Sequence, residues 1–316
     1  MNNQTDAINK LLTHGVCEVI EKNEMIKKLS ANTPLRIKYG IDPTATSFHL
    51  GHTVPLRKLR EFQNMGHTAV FIIGDFTAQI GDPVGKSDTR NMLTLAQTQE
   101  NAKRFTSFAA KFIDIEKTEV HFQSEWYNTL TLEQTIRLMA TVTKEQLMRH
   151  ETFRMREKLG KPLGFHEMFY TLLMAFDSVA IKADIELGGP DQKFNFLMTR
   201  QVMEKFGLPP EEALLLEYLP GTDGAEKMSK SADNFIGMEE DPATQFNKIM
   251  KIHDTDIAIF FKLCTTTDDG VINTLHPLTA KRLLARIIVS DVHGMQKAML
   301  AETMFINGHP QLKNMI

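Results

Sequence analysis

Polar and apolar positions change period several times along the chain. Over the first thirty residues Ile8, Leu11, Leu12, Val16, Val19 and Ile20 fall near helical spacing, which predicts an amphipathic helix. Leu35-Arg-Ile-Lys-Tyr39 then alternates like a strand and runs into Gly40-Ile-Asp-Pro43, a loop signal. A helix is predicted from about Gly51 to Met65, with Pro55 in its first turn, where proline is tolerated. Ala69-Val-Phe-Ile-Ile73 is a continuous apolar strand ending in Gly74-Asp75. Strand, helix, strand in about forty residues forms a βαβ unit and hence a buried parallel sheet. Helical periodicity continues over about 95–114, 131–149 and 166–182. A strand is expected at Asp184–Leu187, before Gly188-Gly-Pro190, then a helix at about 191–206. From about 239 onward the pattern is helical, with Phe246, Ile249, Met250 and then Leu283, Leu284, Ile287 and Ile288 spaced as helix faces. The fold class expected is α/β: a Rossmann-like parallel-sheet nucleotide-binding domain followed by a small all-helical domain.

Composition narrows the class. The 316 residues carry 36 Lys+Arg against 39 Asp+Glu, with 42% apolar residues, which suits a globular chain with a large core. Disordered, collagen-like and coiled-coil chains are excluded. The net charge of −3 argues against a broadly basic nucleic-acid binder but leaves room for local basic patches. Cys17 and Cys264 are too far apart in sequence for a disulfide framework or a cysteine-rich zinc site, and no metal site is expected. The N-terminal stretch lacks the apolar run of a signal peptide, and no segment is apolar enough to span a membrane. A reduced, cytoplasmic setting is expected.

Two clusters carry chemistry. Phe48-His49-Leu50-Gly51-His52 follows a strand and loop and opens a helix, whose free N–H groups suit phosphate. Imidazoles there can donate to phosphoryl oxygens as charge builds up. Gly51 lets a flat ligand such as adenine lie on its backbone. Taken alone, the two histidines fit equally a helix cap and a surface residue. Glu226-Lys-Met-Ser-Lys-Ser231 places Lys227 and Lys230 three apart on a Gly-flanked loop, either a solvated surface or a mobile clamp on polyphosphate.

Together, HLGH and KMSKS resemble the two signatures of class I aminoacyl-tRNA synthetases. Gly188-Gly-Pro-Asp-Gln192, Tyr39-Gly-Ile-Asp-Pro-Thr44, Ile80-Gly-Asp-Pro83 and Tyr170-Thr-Leu-Leu-Met-Ala-Phe-Asp177 stand in the order used by bacterial-type tyrosyl-tRNA synthetases. The resemblance covers roughly residues 30–300. It implies activation of tyrosine with ATP to an adenylate and transfer to tRNA-Tyr, with Mg²⁺ carried by the nucleotide. It assigns His49, His52, Thr44, Lys227, Lys230 and Ser231 to the phosphates and the leaving pyrophosphate. Gly40, Asp42, Gly51, Gly189, Asp191 and Met228 would hold the rest of ATP. Lys38, Tyr39, Thr77, Asp82, Gln123, Tyr170, Met174, Asp177 and Gln192 would line the amino-acid site, with Asp177 accepting the phenol hydroxyl and Asp82 and Tyr170 binding the α-ammonium. Asp82, before Pro83, also reads as a plain turn residue.

The resemblance further implies a homodimer joined through an inserted region at about 85–165, where Phe105, Phe108 and Phe112 form an apolar stripe that fits either an interface or core. Its domains would be 1–220 (catalytic), 221–238 (KMSKS loop and linker) and 239–316 (helical). Arg149, Arg154, Arg156, Lys158 and Lys161 correspond to the family's acceptor-arm region and are candidates for tRNA, with a solvated helix face as the alternative. The sequence departs from the family at Met174 (usually Gln), Gln123 (usually Asn) and Phe176 (commonly Tyr), and has Lys38 where one branch uses Tyr. It ends at Gln311-Leu-Lys-Asn-Met-Ile316 without the usual S4-type module. These departures keep a second reading open, a paralogue adenylating a related aromatic acid without charging tRNA-Tyr; a third is a non-catalytic RNA-binding protein on this fold.

Overall fold

The computed structural model describes residues 2–31, 33–44, 48–84, 92–224, 226–230, 232–267 and 269–310. Its chain forms two compact units. One comprises Met1–Thr46 with Lys58–Leu216, the other Ser47–Arg57 with Glu217–Ile316.

The first unit is built on a six-stranded sheet of β1 (Val16–Ile20), β2 (Arg36–Ile41), β3 (Thr68–Ile73), β4 (Thr118–Phe122), β5 (Ile185–Gly188) and β6 (Glu212–Leu216), in the order β1-β6-β5-β2-β3-β4. All pairings are parallel except β1 with β6, which is an antiparallel edge. Ala69 to Ile73 are all buried, as a parallel strand covered on both faces requires. Chain order runs outward in one direction from β2 through β3 to β4, and in the other from β5 to β6. The β2/β5 boundary is therefore the topological switch point, where open α/β sheets bind ligands at the strands' carboxyl ends. Those ends lead into Asp42 on one strand and Gly188-Gly189 on the other. Gly188 must lack a side chain, because an added Cβ would stand 2.5 Å from the Phe196 ring.

The segment predicted as one long N-terminal helix is instead helix Asn2–Thr13, strand β1 and helix Lys22–Ser30. Gly15, at φ 68°, ends the first helix, and Val16–Ile20 then finds partners on β6. Long-range pairing here overrides helical periodicity. β4 and β6 were not predicted. The stretch 95–114 is helical only to Ala109, and 131–149 is two short helices, Leu132–Met139 and Lys144–Leu147, each opened by a threonine capping box. Helix Phe165–Ile181 is as expected.

The second unit is helical beyond residue 241, with Pro242–Met250, Ile257–Cys264, Pro277–His293 and Met295–Gly308 as its main helices. Among the described residues no helix is long and apolar enough to cross a membrane.

Candidate active site

In the first unit, helix Phe165–Ile181 aims Tyr170 and Asp177, seven residues apart and so on one helix face, at the carboxyl ends of the strands. Asp177 is buried. Its Oδ2 accepts from Gln123 Nε2 at 2.6 Å, and its Oδ1 accepts from Trp126 Nε1 at 3.1 Å and Tyr127 Oη at 2.9 Å. A carboxylate offers about four acceptor positions, so one on Oδ2 remains. Burial raises the Asp177 carboxyl to about 6, against the pull of Lys38 and these three donors.

Asp42 lies at the end of β2. It accepts from Tyr170 Oη at 2.9 Å on Oδ2, and its Oδ1 stands 2.6 Å from Thr77 Oγ1. Burial raises it to about 7, helped by the nearby Asp82 and Asp177. Gly74 makes room for this pair, since a Cβ there would sit 2.2 Å from Asp42 Oδ1. Thr77 N–H donates to Gln123 Oε1 at 2.9 Å, which closes a polar chain from Tyr170 through Asp42, Thr77 and Gln123 to Asp177. Asp82 is held as a turn residue, with Oδ1 accepting from Val84 N–H at 2.8 Å, and its Oδ2 accepts from Gln192 Nε2 at 2.7 Å. Tyr39 is buried and stacks on Phe71, and burial raises its phenol pKa. Gly189 caps the short turn Pro190–Gln192 that presents Asp191. Gly40 is exposed, with open space where a Cβ would project.

Two expectations change. Lys38 is 1% exposed, and its three ammonium protons are matched by Glu186 Oε1 (2.7 Å), Ser178 Oγ (2.8 Å) and the Met174 carbonyl (3.2 Å), so it has no donor left for a ligand. Met174 is half-buried and packs both on the core around Ile20, Phe196 and Leu215 and on Tyr127 and Tyr170 of the site. Arg156 is 0% exposed and forms a bidentate pair with Glu167 at 2.7 and 3.1 Å, so it cannot reach RNA. Arg149, Arg154 and Lys158 are exposed and Lys161 half-buried. Phe176 belongs to an aromatic cluster with Tyr127 and Phe206.

Trp126 and Tyr127 were not anticipated. Their signal was present in the sequence: two aromatic residues with polar tips stand just after Gln123, on the short helix Ser124–Tyr127.

In the second unit, Phe48–Leu50 and Ile236–Met238 run antiparallel, with Leu50 N–H donating to Ile236 O and Met238 N–H to Phe48 O, both at 2.9 Å. This pairing ties HLGH to the residues after KMSKS. His52 Nδ1 lies 3.1 Å from the His49 backbone nitrogen and 3.2 Å from the His49 carbonyl oxygen. Burial holds His52 down at about 4 and His49 at about 2, with the positive Lys227 and Lys230 adding to both. Both rings are neutral donors at pH 7. His49 Nδ1 is buried with no partner, a donor position available to an anion. Its ring lies over Gly51, where a Cβ would stand 3.0 Å from Cε1. Lys227 sits 4.3 Å over the Tyr218 ring, and burial lowers the pKa of Lys230. Met228 is buried, its N–H bonded to Leu219 O. Asn234 organises the loop: its Oδ1 accepts from Ser229 N–H at 2.8 Å and its Nδ2 donates to Asp223 at 3.1 Å. Thr44 is exposed, and Ser231 and the terminal Gln311–Ile316 lie outside the described residues.

The family model for class I tRNA synthetases of the W and Y kind matches residues 30–308. A tyrosine--tRNA ligase of Carboxydothermus hydrogenoformans is 44% identical over 310 residues, 94% of this chain and 75% of that one. One from Aquifex aeolicus is 46% identical over 297 residues, 93% of this chain and 76% of the relative. Among solved structures, a C-terminally truncated mitochondrial tyrosyl-tRNA synthetase of Aspergillus nidulans superposes with a TM-score of 0.79 at 18% identity, covering 95% of this chain and 93% of its own. The Archaeoglobus fulgidus tyrosyl-tRNA synthetase complexed with L-tyrosine gives a TM-score of 0.75 at 22% identity, covering 93% and 99%. These last two bear on the fold alone; the sequence relatives and the family model go further, and the chain belongs to the tyrosyl-tRNA synthetase family of class I.

Proposed function

We propose that the chain joins tyrosine to ATP as tyrosyl-adenylate and passes the tyrosyl group to tRNA-Tyr. In the first step a carboxylate oxygen of tyrosine attacks the α-phosphorus. The bond from that phosphorus to the β-bridging oxygen breaks, and pyrophosphate leaves with the electron pair. In the second, a ribose hydroxyl of the tRNA attacks the acyl carbon, AMP departs and the hydroxyl proton is lost. The attacking carboxylate is already ionised at pH 7, so catalysis reduces to positioning and charge stabilisation.

The first unit recognises the amino acid. Asp177 uses its remaining acceptor position for the phenol hydroxyl, and Asp82, Tyr170 and Asp42 face the α-ammonium. Gln192 lies by the carboxylate, and Asp191 holds a ribose hydroxyl. The second unit handles the phosphates. His49 and His52 donate as neutral imidazoles, and Lys227 and Lys230, with Ser231, neutralise the departing pyrophosphate. Mg²⁺ arrives with the nucleotide. One observation carries this reading: two neutral histidines and two lysines share one unit, with an orphaned imidazole nitrogen among them. Such a set suits a polyanion whose charge grows during reaction.

The exposed basic side chains Arg149, Arg154 and Lys158 contact tRNA phosphates. Two protomers pair through the exposed apolar face of Leu132, Ile136, Met139, Leu159 and Phe165, because Phe105 and Phe108 are core. The setting is the cytoplasm.

Amino-acid-dependent ATP–pyrophosphate exchange tests the reading, with tyrosine, phenylalanine, a ring-hydroxylated tyrosine, β-tyrosine and 4-hydroxyphenylpropionate as the panel. Exchange with tyrosine is expected. Exchange only with another member moves the chain to a divergent paralogue, and none with any member removes the enzymatic reading.

A further inference from the structure

Beneath the amino-acid site lies a charged cluster to which the reaction assigns no part. Lys38 on β2 and Glu186 on β5 are paired in register across the sheet, both 1% exposed, with Nζ to Oε1 at 2.7 Å. Glu211, just ahead of β6, is fully buried beside them. Oε2 of Glu186 and both oxygens of Glu211 meet no N–H group of the protein. Burial and the Glu186 carboxylate push the Glu211 carboxyl well above the ordinary range.

Lys38 links this cluster to the helix that carries Asp177. The other two bonds of its ammonium go to helix Phe165–Ile181, at the Met174 carbonyl and the Ser178 hydroxyl. Those anchors stand three residues before Asp177 and one after it, so two directed bonds tie this turn of the helix to β2. Burial works against the charge of Lys38, but Glu186, Glu211 and Asp177 outweigh it and raise its pKa. Lys38 is thus a permanent cation that favours the ionised form of Asp177.

We propose that Lys38, held by Glu186 and Glu211, is a positioning residue for Asp177: it fixes the turn of helix that carries the carboxylate and keeps it an acceptor, and so sets the preference for an aromatic amino acid bearing a hydroxyl. This rests on reading Asp177 as the hydroxyl's acceptor. A site built around a hydrogen bond to a substrate hydroxyl gains most of its selectivity from that bond. Other titratable groups bearing on Asp177 are Asp42 beyond β2, Tyr127 after β4, and Tyr170 on its own helix. None of them is cationic.

The test is ATP–pyrophosphate exchange with tyrosine and with phenylalanine, at pH 5.5 to 8.5, for wild type, Lys38→Met, Lys38→Arg and Ser178→Ala. For Lys38→Met, kcat/KM for tyrosine is expected to fall about tenfold or more at pH 7, the scale of a hydrogen bond to a charged group. The value for phenylalanine and the KM for ATP stay near wild type, and the acid limb of the tyrosine profile moves to higher pH. Lys38→Arg restores the limb. Ser178→Ala, which keeps every charge, loses part of the tyrosine preference without moving the limb, and it carries the test if Lys38→Met does not fold. Equal losses for the two amino acids with no shift of the limb overturn the proposal, because a purely structural cation lowers all activity alike. A wild-type enzyme that exchanges with neither amino acid overturns the activity reading first, and the proposal with it.

Discussion

The amide of Gln123 donates from Nε2 to Asp177 Oδ2 across 2.6 Å, while its Oε1 accepts from the Thr77 N–H at 2.9 Å. One side chain therefore ties the turn after β3 to the carboxylate on the long helix. Gln123→Ala removes a bond to a charged group, worth roughly 1.5–3 kcal/mol. The expected result is a fall in kcat/KM for tyrosine of about 10- to 100-fold in pyrophosphate exchange, with the KM for ATP unchanged. An equal fall for phenylalanine would argue that the residue serves only packing.

Gly51 and His49 give a second prediction. A methyl at Gly51 would press to 3.0 Å on Cε1 and 3.1 Å on Nδ1 of the His49 ring, so the ring must shift by some tenths of an ångström. Donors that act on developing charge are sensitive to such displacement, and loss of one costs about 10²–10³ in kcat. Gly51→Ala is expected to lower kcat by roughly tenfold or more, while the KM for tyrosine and the melting temperature stay nearly constant. Single-turnover formation of adenylate measures it.

Asp42 gives the pH dependence of stability. Burial raises its folded-state carboxyl from 3.8 to about 7, above the unfolded value. The folded protein therefore binds this proton more tightly than the unfolded chain does. The contribution to stability is complete below about pH 4 and is lost as pH rises to about 7, the direction set by linkage. Asp42→Asn cannot ionise. Its stability in urea unfolding, measured against wild type from pH 4 to 8, should gain on wild type as pH rises, by up to about 4 kcal/mol in total. A constant difference across that range would place the raised pKa elsewhere. His49 and His52 act in the opposite sense, since their folded values of about 2 and about 4 lie below the unfolded one. Their stabilising effect is lost as pH falls below about 6.5, so the comparison must be of differences between the variants.

The parallel sheet was legible because β2, β3 and β5 carry their signals locally, as apolar or alternating runs closed by glycine. β1 was not legible. Val16–Ile20 continues a helical spacing, and only its partner nearly two hundred residues on, Leu214 to Leu216, makes it a strand. The site residues were read from motifs; Tyr170, Asp42, Thr77 and Asp177 prove to share one polar chain through Gln123, and Asp82 pairs with Gln192. What motifs could not give is burial. Arg156 was read as a cation open to tRNA and Lys38 as lining the amino-acid site, and each proves to be enclosed with a carboxylate.

Arg156 shows the consequence. Removing one partner of a buried ion pair leaves the other charge unmatched, at a cost of about 3–5 kcal/mol. Arg156→Ala takes the bidentate guanidinium away from Glu167, which is itself buried. A drop in stability of about that size in urea is expected, whereas Arg154→Ala, an exposed change, should cost under about 0.5 kcal/mol. The tRNA response should be reversed. Arg154→Ala weakens tRNA binding and flattens its salt dependence, and Arg156→Ala, below its unfolding transition, leaves both unchanged in filter binding.

The last prediction concerns the apolar face of the region between residues 130 and 165. Leu132 is 75% exposed, Ile136 57% and Phe165 77%. Leu132 and Ile136 lie one helical turn apart on Leu132–Met139, so they form one ridge. Exposure of large side chains in such a group is uncommon on a monomer and marks an interaction surface. Phe105 and Phe108, by contrast, are buried and cannot contribute. Leu132→Glu combined with Ile136→Glu removes no core contact, and two carboxylates facing their symmetry mates repel one another across a twofold interface. Sedimentation equilibrium at micromolar concentration should find wild type dimeric and the double variant monomeric, with the urea midpoint of the isolated protomer little changed. A wild-type monomer would assign this face to another partner, and a variant that remains dimeric would move the interface off this helix.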